Sequence, residues 1–274
     1  MPVIIVPTPI GNLDDMTLRG IKELERADVI ACEDTRRTLQ LLNHLGIKKQ
    51  LISYHEHNEK MRTEEIIHRL NRGERVAVVS DAGTPGLSDP GAVLVHEAAK
   101  RGYEVDVLPG ANALLPALLL SGLDMTSFIF VGFLEGRTEE KRKRLNSIKN
   151  LPDTLVFYLS PHKLLKDLSF IAEILGERNI SLVREISKIH QEVIHGTLLT
   201  LCDTISEEKI RGEFVCVIEG ADTSHANADE TVWKNEVETL CRSGVSVKDT
   251  ASEIAEKYGV QKNAVKKYIL EKLS

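Results

Sequence analysis

The stretch Val76 to Gly91, Val-Ala-Val-Val-Ser-Asp-Ala-Gly-Thr-Pro-Gly-Leu-Ser-Asp-Pro-Gly, sets the tightest limit on what this chain folds into. It passes from an apolar run through a loop of small residues into a helical pattern. Val76 to Val79 are β-branched or small, as suits a parallel strand covered on both faces. Gly83, Thr84, Pro85, Gly86 and Ser88 then supply turn backbone, bare amides and a hydroxyl at the strand's carboxyl end, where open α/β sheets bind ligands. A glycine-rich βα turn with no ligand has the same local signature.

The same alternation fills the first part of the chain. Val3 to Val6, Val29 to Cys32, Val76 to Val79 and Val105 to Leu108 read as strands. Leu18, Ile21 and Leu24, then Leu39, Leu42 and Leu45, then Ile66, Ile67 and Leu70, then Val93 to Ala99 mark helices between them. This βαβα order predicts a parallel sheet. After Ala111 to Gly122, an apolar helix interrupted by Pro116, strand-like runs crowd together: Phe128 to Phe133, Thr154 to Leu159, Ser181 to Ile186, Val193 to Thr200 and Phe214 to Ile218. A mixed second sheet with fewer crossover helices follows.

Boundaries are expected near Leu123 to Thr126 and in the polar segment Gly220 to Glu230. They divide the chain into an N-terminal α/β domain (1–122), a second α/β domain (123–220), a linker (221–230) and a helical C-terminal domain (231–274). In the tail, helical patterns flank Ser243 to Ser246, and a last helix carries Lys262, Lys266, Lys267 and Lys272. That layout suits a small nucleic-acid-binding module, and equally a solubilising helical cap.

A length of 274 residues accommodates two or three such units. The net charge of −6 argues against nucleic acid as a partner unless local basic clusters override it. The four cysteines, Cys32, Cys202, Cys216 and Cys241, form no C-x-x-C pair, so reduced thiols and no metal site are expected. The start Met-Pro-Val-Ile-Ile-Val-Pro lacks a basic region and a long apolar run, which predicts a soluble cytoplasmic protein without a membrane segment. Thr8-Pro9-Ile10-Gly11-Asn12-Leu13 has a single glycine where a dinucleotide fold needs several, and no Gly-Lys-Ser or Gly-Lys-Thr loop occurs. Nicotinamide, flavin and nucleotide triphosphatase chemistry are therefore disfavoured.

A second turn, Pro109-Gly110-Ala111-Asn112, follows the strand Val105 to Leu108 and opens a helix, giving close backbone approach and amide donors. With the loop after Val79 it forms two walls for a ligand with an amino-acid tail and an aromatic base. Thr8-Pro-Ile-Gly-Asn-Leu, Cys32-Glu-Asp-Thr-Arg, Ser53-Tyr-His-Glu-His-Asn-Glu, Ser80 to Gly91, Pro109-Gly-Ala-Asn-Ala, Phe130-Val-Gly-Phe, Arg184-Glu-Ile-Ser-Lys and Gly212-Glu-Phe-Val together span nearly the whole chain. In these motifs it resembles the ribosomal RNA small subunit methyltransferase I group of the tetrapyrrole methylase superfamily.

The resemblance implies the two-domain class III methyltransferase fold and a homodimer with S-adenosylmethionine between the domains. The implied reaction is 2′-O-methylation of a decoding-centre cytidine in 16S ribosomal RNA. It also implies a cofactor site drawn from Pro9, Ser80, Asp81, Ala82, Gly83, Thr84, Ser88, Asn112, Ala113, Phe133, Tyr158, Leu159, Glu213 and Phe214. Phe133 and Tyr158, at strand ends, suit an adenine.

Methyl transfer from a sulfonium depends mostly on alignment, because the leaving group departs neutral. A ribose hydroxyl is a poor nucleophile, so a base near it is worth about 10²-fold or more. His55 and Glu56, in a loop dense in titratable groups, are the first candidates; the alternative is a solvated loop with Asn58 capping the helix that follows. Asp34 and Arg36 suit the ribose-phosphate, although Asp34 also reads as a helix N-cap. In the family, the stretch around Arg184, Glu185 and Lys188 faces the cleft, which would set Arg184 and Lys188 against phosphate with Glu185 orienting them; a surface ion-pair ladder is the alternative. Arg137 to Arg144, with Arg142 between, is the densest basic run and reads either as an RNA-binding arm that offsets the acidic total or as a solvated helix, with Glu139 and Glu140 as i,i+4 partners for Lys143 and Arg144.

Aromatic residues are few, so recognition by phosphate contacts and shape is expected over stacked bases. Two other readings use the same residues: a C-methyltransferase for a porphyrin-type molecule, and a non-catalytic RNA-binding assembly factor.

Overall fold

The computed structural model describes residues 2–205, 210–222, 224–258, 260 and 262–272. Its first layer is a parallel sheet. The strands are β1 (Val3–Ile5), β2 (Val29–Cys32), β3 (Gln50–Ser53), β4 (Val76–Val79) and β5 (Val105–Val107), in spatial order β3-β2-β4-β1-β5. They are joined by α1 (Leu18–Arg26), α2 (Thr35–His44), α3 (Glu59–Asn71) and α4 (Ala92–Lys100).

Alternation along each strand splits the core in two. Val76 and Val78 pack with Ile66, Ile67, Leu70, Leu94 and Ala98 of α3 and α4 on one face. Ala77 and Val79 pack with Leu24 and Leu42 of α1 and α2 on the other. With both faces covered, β2 and β4 carry no polar residue. β1 lies between β4 and β5, so the loops that leave these three strands meet at one end of the sheet.

The second sheet contains β6 (Phe128–Phe133), β7 (Thr154–Leu159), β8 (Asn179–Arg184), β9 (Glu192–Thr197) and β10 (Phe214–Ile218), ordered β6-β7-β10-β8-β9. Only β6 and β7 pair in parallel, across the crossover helix α6 (Thr138–Ile148), and the other pairings are antiparallel. One face is covered by α6, α7 (Leu164–Leu175) and α8 (Leu198–Thr204). The other is covered by α5 (Leu114–Ser121), whose Leu114, Ala117 and Leu118 pack on Val156, Val183, Val215 and Val217.

Expectations change at α5, at Pro116 and at the ends of β8 and β9. Packing assigns α5 to the second sheet, so a division after residue 122 cuts α5 from its own core, and both sheets fall in one compact unit of residues 1–149 and 153–219. Pro116 does not interrupt α5, because it sits in the first turn, where an amide has no partner within the helix. β8 ends two residues early, because Glu185 turns left-handed at φ 52°, and β9 ends at Thr197, whose side chain caps α8.

The second unit comprises residues 150–152 and 220–274. Its helices are α9 (Ser224–Arg242), α10 (Val247–Tyr258) and α11 (Lys262–Lys272). They enclose Trp233, Val237, Ala251, Ile254, Val265 and Ile269. The segment expected as a linker lies mostly in α9, which begins at Ser224. Among the described residues no helix is long and apolar enough to cross a membrane.

Candidate functional site between the two sheets

The loops that leave β1, β4 and β5 are tied together by their own backbone. Thr8 and Gly83 exchange N–H···O bonds of 2.9 Å each way. The Thr8 hydroxyl donates to the Ser80 carbonyl at 3.1 Å, the Ser80 hydroxyl to the Gly83 carbonyl at 3.2 Å, and the Thr84 hydroxyl to the Ala111 carbonyl at 3.0 Å. Gly83 holds φ 84°. A Cβ there would meet Ile10 at 3.5 Å, an ordinary contact, so backbone conformation and not crowding requires glycine.

These loops wall a cavity of about 320 Å³, closed on its far side by the second sheet. Of the expected cofactor residues, Ala82, Gly83, Thr84 and Ser88 line it from the loop after β4, and Asn112 and Ala113 from the approach to α5. Phe133, Tyr158, Leu159, Glu213 and Phe214 line it from the second sheet. Phe133 and Phe130 meet Tyr158 edge-on, with ring centroids 5.5 and 5.0 Å apart.

Pro9, Ser80 and Asp81 do not reach the lining. Ser80 is a buried brace inside the loop, and Asp81 accepts the Asp34 amide at 3.0 Å and pairs with Arg37 at 3.2 Å. The sequence reading missed Ile10, Leu87, Asp89, Ser160, Pro161, Ile186 and Val215. Asp89 stands inside the motif that announced the pocket, and Ser160-Pro161 leaves a strand's carboxyl end as the other walls do.

The first-sheet rim is acidic. Burial, together with the carboxylates of Glu33 and Asp81, pushes the Asp89 carboxyl up to about 7, with the Ser80 hydroxyl pulling the other way. Burial and then Asp81 also raise the Glu33 carboxyl. Burial and the Asp89 carboxylate push the Tyr158 phenol up to about 12, so it remains a hydrogen-bond donor.

None of the four expected catalytic side chains is on the cavity lining. Asp34 caps α2, accepting the Arg36 amide at 2.8 Å, while hydrogen bonds from the Arg36 guanidinium hold its carboxyl below the ordinary value. His55 is fixed by Asn58: the His55 amide donates to Asn58 Oδ1 at 2.9 Å and Asn58 Nδ2 lies 3.1 Å from His55 Nε2. Asn58 therefore braces the loop instead of capping α3. Glu56 is exposed. Burial alone would raise the Glu185 carboxyl, yet the Lys188 ammonium at 2.8 Å and the Glu213 amide at 2.9 Å outweigh it and hold it below its usual value.

Most of the basic candidates are paired. Lys188 bridges Glu185 and Glu213, the latter at 3.1 Å, and Arg184 lies 3.6 Å from Glu192. Arg137 pairs with Glu140, so Glu140 serves the cap residue three positions before it and not Arg144. Arg142 pairs with Glu173 at 2.9 Å over the Phe170 ring, and Arg144 donates to the Val131 carbonyl. Arg36 and Arg137 leave 88% and 87% of their side chains in water despite these pairs. In the second unit, Lys262 and Lys267 are exposed, Lys266 is half-buried, and Lys267 lies 3.9 Å from Glu271.

A wider groove of about 660 Å³ is lined by Gly136, Arg137, Thr138, Lys141, Lys163 and Lys166 with Asp167 and Glu173. Short segments connect it to the cavity, since Phe133 and Pro161 line one and Gly136 and Lys163 the other. Among the described residues no three His, Cys, Asp or Glu side chains gather as a metal site.

The sequence pattern that defines the Tetrapyrrole (Corrin/Porphyrin) Methylases matches residues 2–202. The ribosomal RNA small subunit methyltransferase I of Bacillus subtilis is 42% identical over 272 residues, covering 97% of this chain and 92% of that protein. Its counterpart in Escherichia coli O157:H7 is 41% identical, covering 97% and 94%. The Thermotoga maritima protein of that name is 45% identical over 220 residues, which cover 99% of it but 80% of this chain. Among solved structures, the methyltransferase CobJ superposes with a TM-score of 0.62 at 20% identity, covering 80% of this chain and 94% of that one. The Thermus thermophilus uroporphyrin-III C-methyltransferase complexed with S-adenosylhomocysteine superposes at 0.56 with 18% identity, covering 82% and 100%.

Proposed function

Because the chain belongs to the ribosomal RNA small subunit methyltransferase I group of the tetrapyrrole (corrin/porphyrin) methylases, we propose that it methylates the ribose 2′-oxygen of a decoding-centre cytidine in 16S ribosomal RNA, using S-adenosylmethionine. The observation that carries this reading is the cavity itself: a wall of close-packed backbone from Ala82 to Thr84 and at Asn112 and Ala113, facing an aromatic pair across the sheets.

The lining fits that cofactor chemically. Phe133 and Tyr158 give flat apolar surface to an adenine, the backbone of Ala82 to Thr84 and of Asn112 to Ala113 gives polar contacts to a sugar and an amino-acid tail, and the acidic rim favours a cationic ligand. When bound, S-adenosylmethionine supplies an electrophilic methyl on a sulfonium that leaves as a neutral thioether. The protein's task is to hold the sugar oxygen in line with that methyl and to exclude water.

The RNA backbone is met by Arg36, Arg137 and the groove lysines Lys163 and Lys166, with Arg142, Arg144, Arg184 and Lys188 as further phosphate partners. In the second unit, Lys262, Lys266 and Lys267 add phosphate contacts. An acidic protein binds RNA in this scheme through local basic clusters, such as Arg137, Lys141, Lys163 and Lys166 in the groove. The chain works as a homodimer: α5 buries one face on the second sheet and leaves Leu115, Leu119 and Leu120 at 49%, 66% and 37% exposure. This substrate places the enzyme in the cytoplasm. The porphyrin reading draws on the description of the wider family and on structures near 20% identity, which speak for the fold, whereas the relatives at about 40% identity are named for ribosomal RNA.

The test is to incubate the full chain with S-adenosylmethionine carrying a deuterated methyl and with small subunits lacking the modification, then to analyse the nucleosides by mass spectrometry. Deuterium on a cytidine sugar is the expected result. Deuterium on a base, or none while the cofactor binds, refutes the reading.

A further inference from the structure

Transfer to a sugar hydroxyl requires a group that takes its proton, and the residues expected from sequence to do so lie off the cavity. Three side chains on the cavity wall ionise: Asp89, Tyr158 and Glu213. Tyr158 stays protonated near neutral pH. Glu213 is exposed to water and accepts from the Lys188 ammonium at 3.1 Å through one carboxylate oxygen. Asp89 is held differently. The charges that bear on it are the carboxylates of Glu33 at the end of β2, Asp81 after β4 and Glu213 before β10, with the Ser80 hydroxyl and the Tyr158 phenol as neutral neighbours.

Asp89 reaches the cavity on a turn held out of relaxed geometry. Ser88, just before it, has φ 64°, a left-handed conformation that a non-glycine residue adopts at a cost. The turn is closed by the Gly86 amide donating to the Pro90 carbonyl at 3.2 Å, and α4 begins just behind it at Ala92. On the facing sheet, β6 bulges between Phe130 and Gly132, and a Cβ on Gly132 would stand 3.0 Å from Ser88 Oγ. Glycine at 132 thus leaves room for the Ser88 side chain, and backbone strain of the kind Ser88 shows clusters at functional sites.

We propose that Asp89 is the general base of the methyl transfer, its carboxylate accepting the hydroxyl proton of the sugar; this rests on the reading of the reaction as ribose methylation. As the sugar oxygen bonds to the methyl carbon, the carbon–sulfur bond breaks and its electron pair leaves with sulfur. The hydroxyl proton passes to a carboxylate oxygen of Asp89, which returns it to water after the product leaves. A proton affinity near neutrality suits this role, because the group is partly ionised in the resting enzyme and still basic enough to accept the proton.

Asp89→Asn preserves the shape and removes the basic oxygen. Calorimetry should find S-adenosylmethionine, whose positive charge the rim favours, bound no more than about tenfold more weakly, while single-turnover transfer to unmodified small subunits at saturating cofactor falls by about 10²-fold or more. The wild-type rate should climb with pH and level off above about 7, and the residual rate of the variant should lack that inflection. Near-normal transfer by the variant overturns the assignment, as does a loss of cofactor affinity that accounts for the whole loss of rate. A flat wild-type profile overturns it without any variant. Should wild type put no label on ribose, the reaction itself has been misread; should wild type label ribose and Asp89→Asn do so equally well, only the role of Asp89 falls.

Discussion

The two rims of the cavity hold carboxylates in opposite ways. On the second sheet, Glu185 is held by the Lys188 ammonium and a backbone amide, and its carboxyl is driven below the ordinary value. On the first sheet, Asp89 and Glu33 are half-buried among other carboxylates, and both are driven up. A carboxylate with its partners in place stabilises the fold and is a poor base. One crowded by like charge destabilises the fold and is a good base. The contrast separates scaffold from chemistry where the residue types do not.

The largest effect is expected from Gly83→Val, which strikes the wall both rims share. A β-branched residue at φ 84° costs about 1–2 kcal/mol or more, and relief by shifting the loop would weaken cofactor binding about tenfold or more. Calorimetry near wild-type affinity would remove the loop from the site.

Next is Glu185→Gln, which strips the charge from the second-sheet clasp. Because Lys188 keeps part of its side chain in water, the loss of stability should lie toward the lower end of about 1–3 kcal/mol. Glu185 has a depressed folded-state value, so its contribution is present above the ordinary carboxylate range and is lost as pH falls. Denaturant melts of wild type and variant should therefore converge in acid; a constant gap would break this half of the comparison.

Asp89→Asn should act with the opposite sign. With its carboxyl raised to about 7 from 3.8, Asp89 favours the folded state most below pH 3.8, and that advantage is lost as pH rises through about 7. At alkaline pH the variant should melt at a higher temperature than wild type. A lower melting temperature there would mean that Asp89 is held by partners as Glu185 is.

The smallest effect is expected from Asp34→Ala. It removes the α2 cap and the exposed Arg36 pair, so melting should fall slightly with turnover per folded molecule unchanged. A large loss of turnover would return Asp34 to the chemistry.

Much of this was legible in the sequence where local pattern and burial agree. β1, β2 and β4 read correctly because a strand covered on both faces is apolar throughout, and the loop after β4 announced the cavity through glycine and small residues. Where tertiary contact decides, the sequence was silent. Nothing local says that Ser80 and Asp81 turn into the loop while Asp89, a few residues on, faces the cavity, since that depends on Thr8, Asp34 and the Gly132 bulge. His55 and Glu56 attracted attention as titratable groups in a row, yet Asn58 fixes one in the loop and water takes the other. The assignment of α5 was likewise hidden, because an apolar helix between two sheets carries no mark of which one it covers.

Diffraction from crystals of the full chain grown with S-adenosylhomocysteine tests the central claim most directly. The account predicts the adenine against Phe133 and Tyr158, the amino-acid tail on the backbone of the loops after β4 and β5, and the sulfur facing Asp89 across open space for a sugar. A ligand seated outside this cavity, or one whose sulfur turns away from Asp89 toward the Glu185 clasp, would contradict it.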